Sequence, residues 1–212
     1  MARALIDLGV APGDRVALVA ENRPEWAIAD LAIMTARGLT VPAYTTNTVD
    51  DHVHIFTDSG ASIVIAAARQ LGHIRAVITM EAIGSDPAAD SDGPAILGWN
   101  DVIERGRALP DETGANIATL HRTDTACLIY TSGTGGRPKG VMLSHGALLR
   151  NCAGAWHLFT DGDLLEVDRE VFLSFLPLSH SYEHTAGLVF PLTIGAEIYY
   201  AEGVDKLVAN MA

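Results

Sequence analysis

The sequence predicts an α/β fold in layers, with sheets that carry helices on both faces. Short apolar runs alternate with helical stretches along the chain, and this alternation is typical of parallel sheets covered by helices. Apolar residues make up 49% and charged residues 19% of the 212 residues, a globular composition that does not indicate a disordered or fibrous chain. A chain of this length can bury one sizeable core or two smaller ones.

The first part of the chain contains clear strand and helix signals. The strand candidates are RVALVA, SIVIAA and RAVITM, at residues 15–20, 62–67 and 75–80. Residues Pro24 to Gly38 predict a helix that proline opens and glycine closes, and its apolar character nearly all round predicts burial on more than one side. A second helix is predicted from Val49 to Gly60, with Gly60 as its stop signal. His52 and His54 lie two residues apart on it, so they do not share a face and are expected at the surface.

The pattern weakens between Ser85 and about Asp124, where GSDPAADSDGP forms a polar, Pro/Gly-rich stretch and WNDVIERGRAL predicts a short helix. Such a stretch is the best candidate for a boundary between subdomains. We therefore predict a first α/β subdomain over residues 1–122. Residues 123–212 are predicted to hold the strand before a Gly-rich loop and the start of a second α/β subdomain.

A clear pattern resumes with TACLIYT, Thr125 to Thr131, an unbroken apolar run typical of a buried central strand. After the loop, VML is followed by a helix with Ser144 as its N-cap. VFLSFLPL predicts another buried strand, and SYEHTAGLVFPLTIG a helix that Pro191 should kink or end. AEIYYA predicts a last strand, and GVDKLVANMA the start of a final helix.

The loop that follows this strand has the composition of a phosphate-binding loop. Residues Tyr130 to Gly140 read YTSGTGGRPKG, and no acidic residue occurs from Thr131 to Arg150 although the chain is acidic. Glycines let the backbone turn its N–H groups toward an anion, and hydroxyls add donors. Lys139 supplies a compact positive charge for phosphate oxygens. The loop therefore predicts a polyphosphate site.

Two common phosphate motifs do not fit this loop. A Walker A loop fails because Pro138 precedes Lys139 and Gly140 follows it. The dinucleotide pattern G-x-G-x-x-G fails because Pro138 stands at its last position. Since the next helix begins only at Ser144, a helix dipole is not the main anion donor. The loop's own N–H groups, hydroxyls and lysine must bind the phosphates.

YTSGTGGRPKGVMLSH resembles the signature of the AMP-forming, adenylate-forming superfamily of acyl-CoA synthetases, luciferases and peptide-synthetase adenylation domains. The usual form is Y-T-S-G-[ST]-T-G-x-P-K-G-V, and the one departure is Gly135, where threonine is usual and one hydroxyl is lost. FLPLSHSYEHTAG and IGAEIYYAEG resemble the long-chain fatty acyl-CoA ligase branch. With GVAPGDRVALVAENRPEWAIADLAIMTARGLTVPAYTTNT near the start, the resemblance covers nearly the whole chain.

This resemblance implies activation of a fatty acid carboxylate by ATP, followed by transfer to coenzyme A, with Mg²⁺ as the accompanying cation. It implies His180 as a catalytic residue near the acyl and adenylate pocket, with no metal held by the protein. The implied nucleotide contacts are Thr131, Ser132, Gly133, Thr134, Gly135, Gly136, Lys139 and Tyr182. The first domain is expected to be clipped before Met1, and the family's later motifs to lie beyond Ala212. This segment alone is therefore expected to be inactive.

Two alternatives stay open at this point. His180-Ser181-Tyr182-Glu183-His184 spells H-x-x-E-H, a zinc metalloprotease pattern in which Glu183 would be the general base. His180 follows LPLS at a strand-to-helix turn, so the two histidines need not lie in one regular helix. The other alternative is a nucleotide-binding remnant without catalysis.

Charge and cysteine content bear on partners and location. The formal net charge is −12, which argues against nucleic acid and anionic membranes as general partners. Cys127 and Cys152 lie in apolar runs without CxxC spacing, so two reduced, buried thiols are expected. With no signal-peptide pattern and no apolar run of about 20 residues, the prediction is a cytoplasmic protein. The prediction leaves room for peripheral membrane association through segments outside this chain.

Overall fold

The structure is a computed structural model that describes residues 1–67, 76–80, 95–131, 136–162, 169–203 and 206–207. Its strands are β1 Arg15–Val19, β2 Leu39–Pro42, β3 Ile63–Ala66, β4 Ala76–Thr79, β5 Ala95–Gly98, β6 Thr125–Thr131, β7 Lys139–Ser144, β8 Val171–Ser174 and β9 Glu197–Tyr200. Its α-helices are α1 Ala2–Asp7, α2 Pro24–Thr35, α3 Val49–Ser59, α4 Trp99–Arg107, α5 Thr113–Ala118, α6 His145–Asp161, α7 Ser181–Glu183 and α8 Phe190–Thr193. A π-helical segment, His184–Val189, joins α7 to α8.

The main sheet has the strand order β5-β4-β3-β1-β2-β6-β7. Its strands are parallel except for β7, which pairs antiparallel with β6. A second sheet pairs β8 and β9 in parallel. The α/β class that the alternation predicted is confirmed.

Alternation along the strands directs side chains to two separate cores, one on each face of the main sheet. Val16, Leu18 and Ile63 face α1, α2 and α4, in the core that contains Leu5, Trp26, Ile33 and Val102. Ala17 and Val64 face α3, in the core that contains Ile55, Phe56 and Tyr130. Helices therefore cover both faces of the sheet, as predicted.

Strand β6 is buried as predicted, but it is not central. It lies between β2 and β7, and β7 is at the edge of the main sheet. Both β6 and β7 belong to the same sheet as β1 to β5, and the sheet changes only between β7 and β8. The predicted division at residue 122 thus falls between strands of one sheet, and that division stays a prediction. The Pro/Gly-rich part of the predicted boundary, residues 84–94, lies outside the described residues.

Helix α2 ends differently from the prediction. Its last turn is closed by bonds from the Gly38 N–H to the Ile33 carbonyl and from the Arg37 N–H to the Met34 carbonyl, the Schellman arrangement. The left-handed residue in this motif is Arg37, with φ of 63°, so Gly38 does not supply the left-handed conformation. The outer side of α2 is also more open than predicted, since Ile28 is 47% and Leu31 44% exposed in the described chain.

Close packing explains why residue 38 is glycine. A Cβ at this position would lie 3.1 Å from Ile33 Cγ2 and 3.2 Å from the Asp14 carbonyl oxygen. Because the second neighbour is backbone, it cannot rotate away. We expect Gly38→Ala to lower the free energy of unfolding by about 1–3 kcal/mol, the usual cost of overpacking. Urea unfolding would measure this loss, and an unchanged midpoint would contradict the crowding. Gly114→Ala is the control, since nothing lies within 4 Å of a Cβ there.

The other helix signals are confirmed where the chain is described. The Ser144 hydroxyl accepts the Ala147 N–H at the start of α6, and Gly60 ends α3 with φ of 67°. The helix predicted across Pro191 shifts its register in the π-helical segment and ends two residues after the proline. Most of the predicted final helix lies outside the described residues. Among the helices of the described chain, none combines the length and apolar character needed to cross a membrane.

Candidate active site

A cavity of about 280 Å³ lies where β2 and β6 end. It is lined by Pro42, Ala43, Tyr44, Asn47, Ile55, Ile129, Tyr130, Thr131, Pro138, His180 and Ser181. The carboxyl ends of parallel strands are the edge at which α/β sheets bind ligands. A larger cleft of about 460 Å³ includes Gly38, Leu39 and Thr125, at the edge where β2 and β6 begin. The smaller cavity is the candidate site because the Gly-rich loop joins it.

The Gly-rich loop connects the two strands of a β-hairpin. Thr131, the last residue of β6, pairs with Lys139, the first residue of β7. Lys139 is exposed, and Gly136 has φ of 136°, a conformation that residues with a Cβ rarely adopt. The predicted contacts Ser132, Gly133, Thr134 and Gly135 lie outside the described residues. Of the predicted loop contacts, the structure thus pairs Thr131, which lines the cavity, with Lys139, which directly follows the lining residue Pro138.

His180 lines the same cavity and is the N-cap residue of α7. Its Nδ1 accepts the backbone N–H of Tyr182 at 3.2 Å, so in the neutral ring Nε2 carries the proton. The imidazole thereby offers an N–H donor. Tyr182, the other predicted contact of this segment, is 63% exposed and does not line this cavity. Its role in binding stays a prediction.

Glu183 is buried, and its carboxylate already accepts hydrogen bonds from a side chain and from the backbone near the end of β8. Its Oε1 accepts the Ser174 hydroxyl at 2.7 Å and the Phe175 N–H at 3.1 Å. A Cβ at Gly187 would collide with this carboxylate, so the glycine makes room for it. Glu183 therefore connects the end of β8 to α7 and is not free to act as a general base.

His184 is fully buried in a polar cluster inside the apolar core. Its Nε2 donates to Asp30 Oδ2 at 2.9 Å, and its Nδ1 lies 3.9 Å from Cys127 Sγ. The Trp26 ring packs against it edge-on, with centroids 5.6 Å apart. Burial lowers the pKa of His184, but the Asp30 charge and hydrogen bond outweigh it and raise the pKa to about 10. The imidazole is therefore a buried cation paired with Asp30.

These contacts remove the geometric basis of the zinc alternative. Both ring nitrogens of His184 are engaged inside the core, while His180 lies at the cavity, so the two histidines do not converge on one ion. Within the described ranges, no three His, Cys, Asp or Glu side chains are grouped to hold a metal. The H-x-x-E-H segment instead joins the cavity to the core.

Helix α3 contacts the loop, which the sequence reasoning missed. His54 Nε2 donates to the Pro138 carbonyl at 2.9 Å, and the Tyr130 hydroxyl donates to Asp58 Oδ2 at 2.7 Å. The prediction that His52 and His54 lie at the surface is wrong, because both are half-buried, and the His54 ring lies between α3 and the loop. The spacing of His54 and Asp58, four residues apart on a predicted helix, was the available signal. Asp30 had its own signal, as the one charged residue after the first turn of an otherwise apolar helix.

The contacts of Glu183 predict a structural effect that depends on the substitution. Glu183→Ala leaves the Ser174 hydroxyl and the Phe175 N–H without their partner and creates a cavity, so we expect the free energy of unfolding to fall by about 2–4 kcal/mol. Glu183→Gln keeps an acceptor oxygen and should cost only about 0.5–1.5 kcal/mol. Denaturant unfolding of both variants tests this order. Equal losses would show that the accepted bonds are not what Glu183 contributes.

Comparison with known proteins identifies the family. The sequence model of the family described as AMP-binding enzyme matches residues 1–212. The chain therefore belongs to the AMP-binding enzyme family.

Two curated relatives come from Mycobacterium tuberculosis. One is long-chain-fatty-acid–CoA ligase FadD15, 38% identical over 190 residues that cover 84% of this chain and 30% of the relative. The other is 3-[(3aS,4S,7aS)-7a-methyl-1,5-dioxo-octahydro-1H-inden-4-yl]propanoyl:CoA ligase. It is 32% identical over an alignment of 218 positions, which covers 100% of this chain and 41% of the relative. The chain thus spans well under half of the length of either relative.

The solved structures agree on the fold. A putative long-chain-fatty-acid CoA ligase from Rhodopseudomonas palustris superposes with a TM-score of 0.73 at 23% identity, covering 99% of this chain and 50% of that one. At this identity the likeness concerns the fold alone. The sheet and its helices correspond to half of that longer chain.

Proposed function

We propose that the protein to which this chain belongs activates a fatty acid carboxylate with ATP and transfers the acyl group to coenzyme A. In the first step a carboxylate oxygen attacks the α-phosphorus, the α–β phosphoanhydride bond breaks, and pyrophosphate leaves. In the second step the coenzyme A thiol, after losing its proton, attacks the acyl carbonyl, and the bond to AMP breaks. The observation that carries the proposal is the Gly-rich hairpin, with its exposed lysine, beside a cavity at the carboxyl ends of the parallel strands.

The residues of the loop suit the binding of a polyphosphate. Lys139 is exposed beside Thr131, so its ammonium group is available for phosphate oxygens, and Gly136 allows the backbone to turn N–H groups toward them. Charge neutralisation and positioning are the main demands of phosphoryl and nucleotidyl transfer. We assign the same role to Ser132, Gly133, Thr134 and Gly135 from their place in the motif.

His180 suits the point where the carboxylate meets the nucleotide. Its ring lines the cavity, and its Nε2–H can donate to a carboxylate or α-phosphate oxygen and so orient the nucleophile. This role needs no metal and no proton transfer by His180. Tyr182 is assigned a contact with the nucleotide outside the cavity.

The Gly-rich loop itself supplies no carboxylate for magnesium. Protein sites for Mg²⁺ combine one or two carboxylates with substrate phosphates. No acidic residue lies from Thr131 to Arg150, and no three His, Cys, Asp or Glu side chains are grouped to hold a metal in the part of the chain that is described. A carboxylate that joins Mg²⁺ to the phosphates would therefore lie outside residues 131–150, while Lys139 and His180 act through their own N–H groups.

Trapping of the acyl-adenylate with hydroxylamine tests this proposal. The assay uses the protein at the full length that its gene encodes, with ATP and a series of saturated fatty acids of increasing length. A polycyclic propanoate is included because one relative is named for such a substrate. We expect acyl hydroxamate and pyrophosphate in equal amounts. ATP binding without pyrophosphate exchange for any acid would contradict the enzyme and favour a nucleotide-binding remnant.

A further inference from the structure

Two polar residues of α3 hold the chain on both sides of the loop lysine. His54 and Asp58 are four residues apart and share a face of the helix. His54 Nε2 donates to the Pro138 carbonyl at 2.9 Å, and Asp58 Oδ2 accepts the Tyr130 hydroxyl at 2.7 Å. Pro138 directly precedes Lys139, so the first bond fixes the chain on one side of the lysine.

The second bond fixes the chain on the other side. Tyr130 lies opposite Gly140 in the β6–β7 pairing, and its ring is so close that a Cβ at Gly140 would be 3.0 Å from it. The ring therefore rests on the backbone that directly follows Lys139. Helix α3 thus contacts one chain neighbour of the lysine through His54, and through Asp58 it holds the Tyr130 ring that packs on the other neighbour. We call the His54 and Asp58 side chains the α3 anchor.

The α3 anchor is itself rigid. Thr48 and Asp51 form a capping box at the start of α3, Gly60 ends the helix, and Ile55 and Phe56 are buried beneath it. The His54 and Tyr130 rings also contact each other edge-on, with centroids 6.3 Å apart. Burial and the Asp58 carboxylate raise the pKa of the Tyr130 phenol well above its usual value, so the hydroxyl stays protonated and keeps donating.

We infer that the α3 anchor positions Lys139 for its phosphate contacts, so that His54 and Asp58 are positioning residues for nucleotide binding. The inference rests on the proposed function of the loop. Lysine has a long, flexible side chain, so its reach is determined by where its backbone is held. Neither His54 nor Asp58 needs to touch the nucleotide for this effect.

Matched variants on α3 and β6 test the inference. His54→Phe keeps a ring and removes the donor, His54→Gln keeps an N–H donor, and Tyr130→Phe removes only the hydroxyl that binds Asp58. His52→Phe is the control, because the same change falls two residues away on a histidine that packs against Phe56. Hydrogen–deuterium exchange of residues 136–144 and the KM values for ATP and for fatty acid are measured at the full length that the gene encodes.

We expect His54→Phe and Tyr130→Phe each to speed exchange in residues 136–144 and to raise the KM for ATP about two- to tenfold, the scale of one hydrogen bond. The KM for fatty acid should not change, His54→Gln should recover much of the loss, and His52→Phe should behave as wild type. An unchanged KM for ATP in every one of these two variants that folds would overturn the inference, as would an equal rise in the KM values for ATP and fatty acid.

Failure of the inference is distinguishable from failure of the proposed function. A wild-type protein that forms hydroxamate while the His54 and Tyr130 variants match it overturns the inference alone. A wild-type protein that neither binds ATP nor forms hydroxamate overturns the proposed function, and the inference with it. Tyr130→Phe loses a single hydroxyl, so the inference can be refuted even if His54→Phe does not fold.

Discussion

Asp30→Asn should lower the free energy of unfolding by about 3–5 kcal/mol, the scale for removing one partner of a buried ion pair. Asp30 and His184 are both fully buried and lie 2.9 Å apart. The other carboxylate oxygen of Asp30 has no hydrogen-bond partner among the described residues, so the pair depends on this one contact. Without the Asp30 charge, the imidazole must lose its proton or remain as an unpaired cation in the core. Urea unfolding near pH 7 measures the loss.

An exposed carboxylate is the matched control for this substitution. Asp161→Asn, at the exposed C-terminal end of α6, should change the free energy of unfolding by no more than about 0.5 kcal/mol. A loss at Asp30 as small as that at Asp161 would show that the buried pair contributes little. The double variant Asp30→Asn/His184→Gln should recover part of the stability, because it removes both members of the pair.

The same pair predicts how stability depends on pH. The pKa of His184 is about 10 in the folded chain and about 6.5 in an unfolded one. A pKa raised by folding stabilises the protein fully below pH about 6.5, and the contribution is lost as the pH rises toward about 10. Between pH 7 and 10 the wild type should therefore lose more stability than Asp30→Asn. Parallel curves for the two proteins over this range would contradict a protonated His184.

Lys139→Ala should slow pyrophosphate exchange about tenfold to a hundredfold, since a charge-assisted contact of this type contributes about 1.5–3 kcal/mol. Lys139 is exposed at the first position of β7, so its loss should leave the fold intact and act on the phosphates. The measurement is ATP–pyrophosphate exchange in the protein at the full length that its gene encodes, with thermal unfolding to confirm that the variant is folded.

Arg137 provides the control for this effect. It is an exposed cation in the same loop, at the one variable place before Pro138 in the motif, so Arg137→Ala removes the same charge. We expect its effect on exchange to be no more than about threefold, a surface charge effect. Equal losses at Arg137 and Lys139 would mean that the loop attracts phosphate by net charge rather than by a placed lysine. No loss at Lys139 would contradict its assigned role.

Several local features were readable from the sequence because their causes are local. Glycine at residue 60, serine at residue 144 and the apolar runs of β1, β3 and β6 act through backbone conformation, capping and burial, which depend on nearby residues. The prediction that the loop binds phosphate likewise rests on local causes, since it depends on glycines, hydroxyls and a lysine that are close together in the chain.

Other features were not readable because they depend on residues far apart in the chain. Asp30, His184 and Cys127 contact one another but come from α2, the π-helical segment and β6, respectively. No rule of sequence spacing predicts that these three residues meet. The sequence pattern makes Gly38 the residue that ends α2, but the reason for this glycine is the Asp14 backbone from the preceding loop. Spacing alone predicts that His54 lies at the surface, because only the folded hairpin brings the Pro138 carbonyl to it.

The sequence by itself thus determined the α/β class, for which hydrophobic periodicity is sufficient, and it predicts a phosphate-binding loop from local composition alone. Only the tertiary structure decided which polar residues act together. It separated His180, at the cavity, from Glu183 and His184, in the core, although the three lie within five residues. The physical reason is that a helical turn directs neighbouring side chains to different sides, and only the packing of β8, α2 and β6 around that turn decides which side is buried.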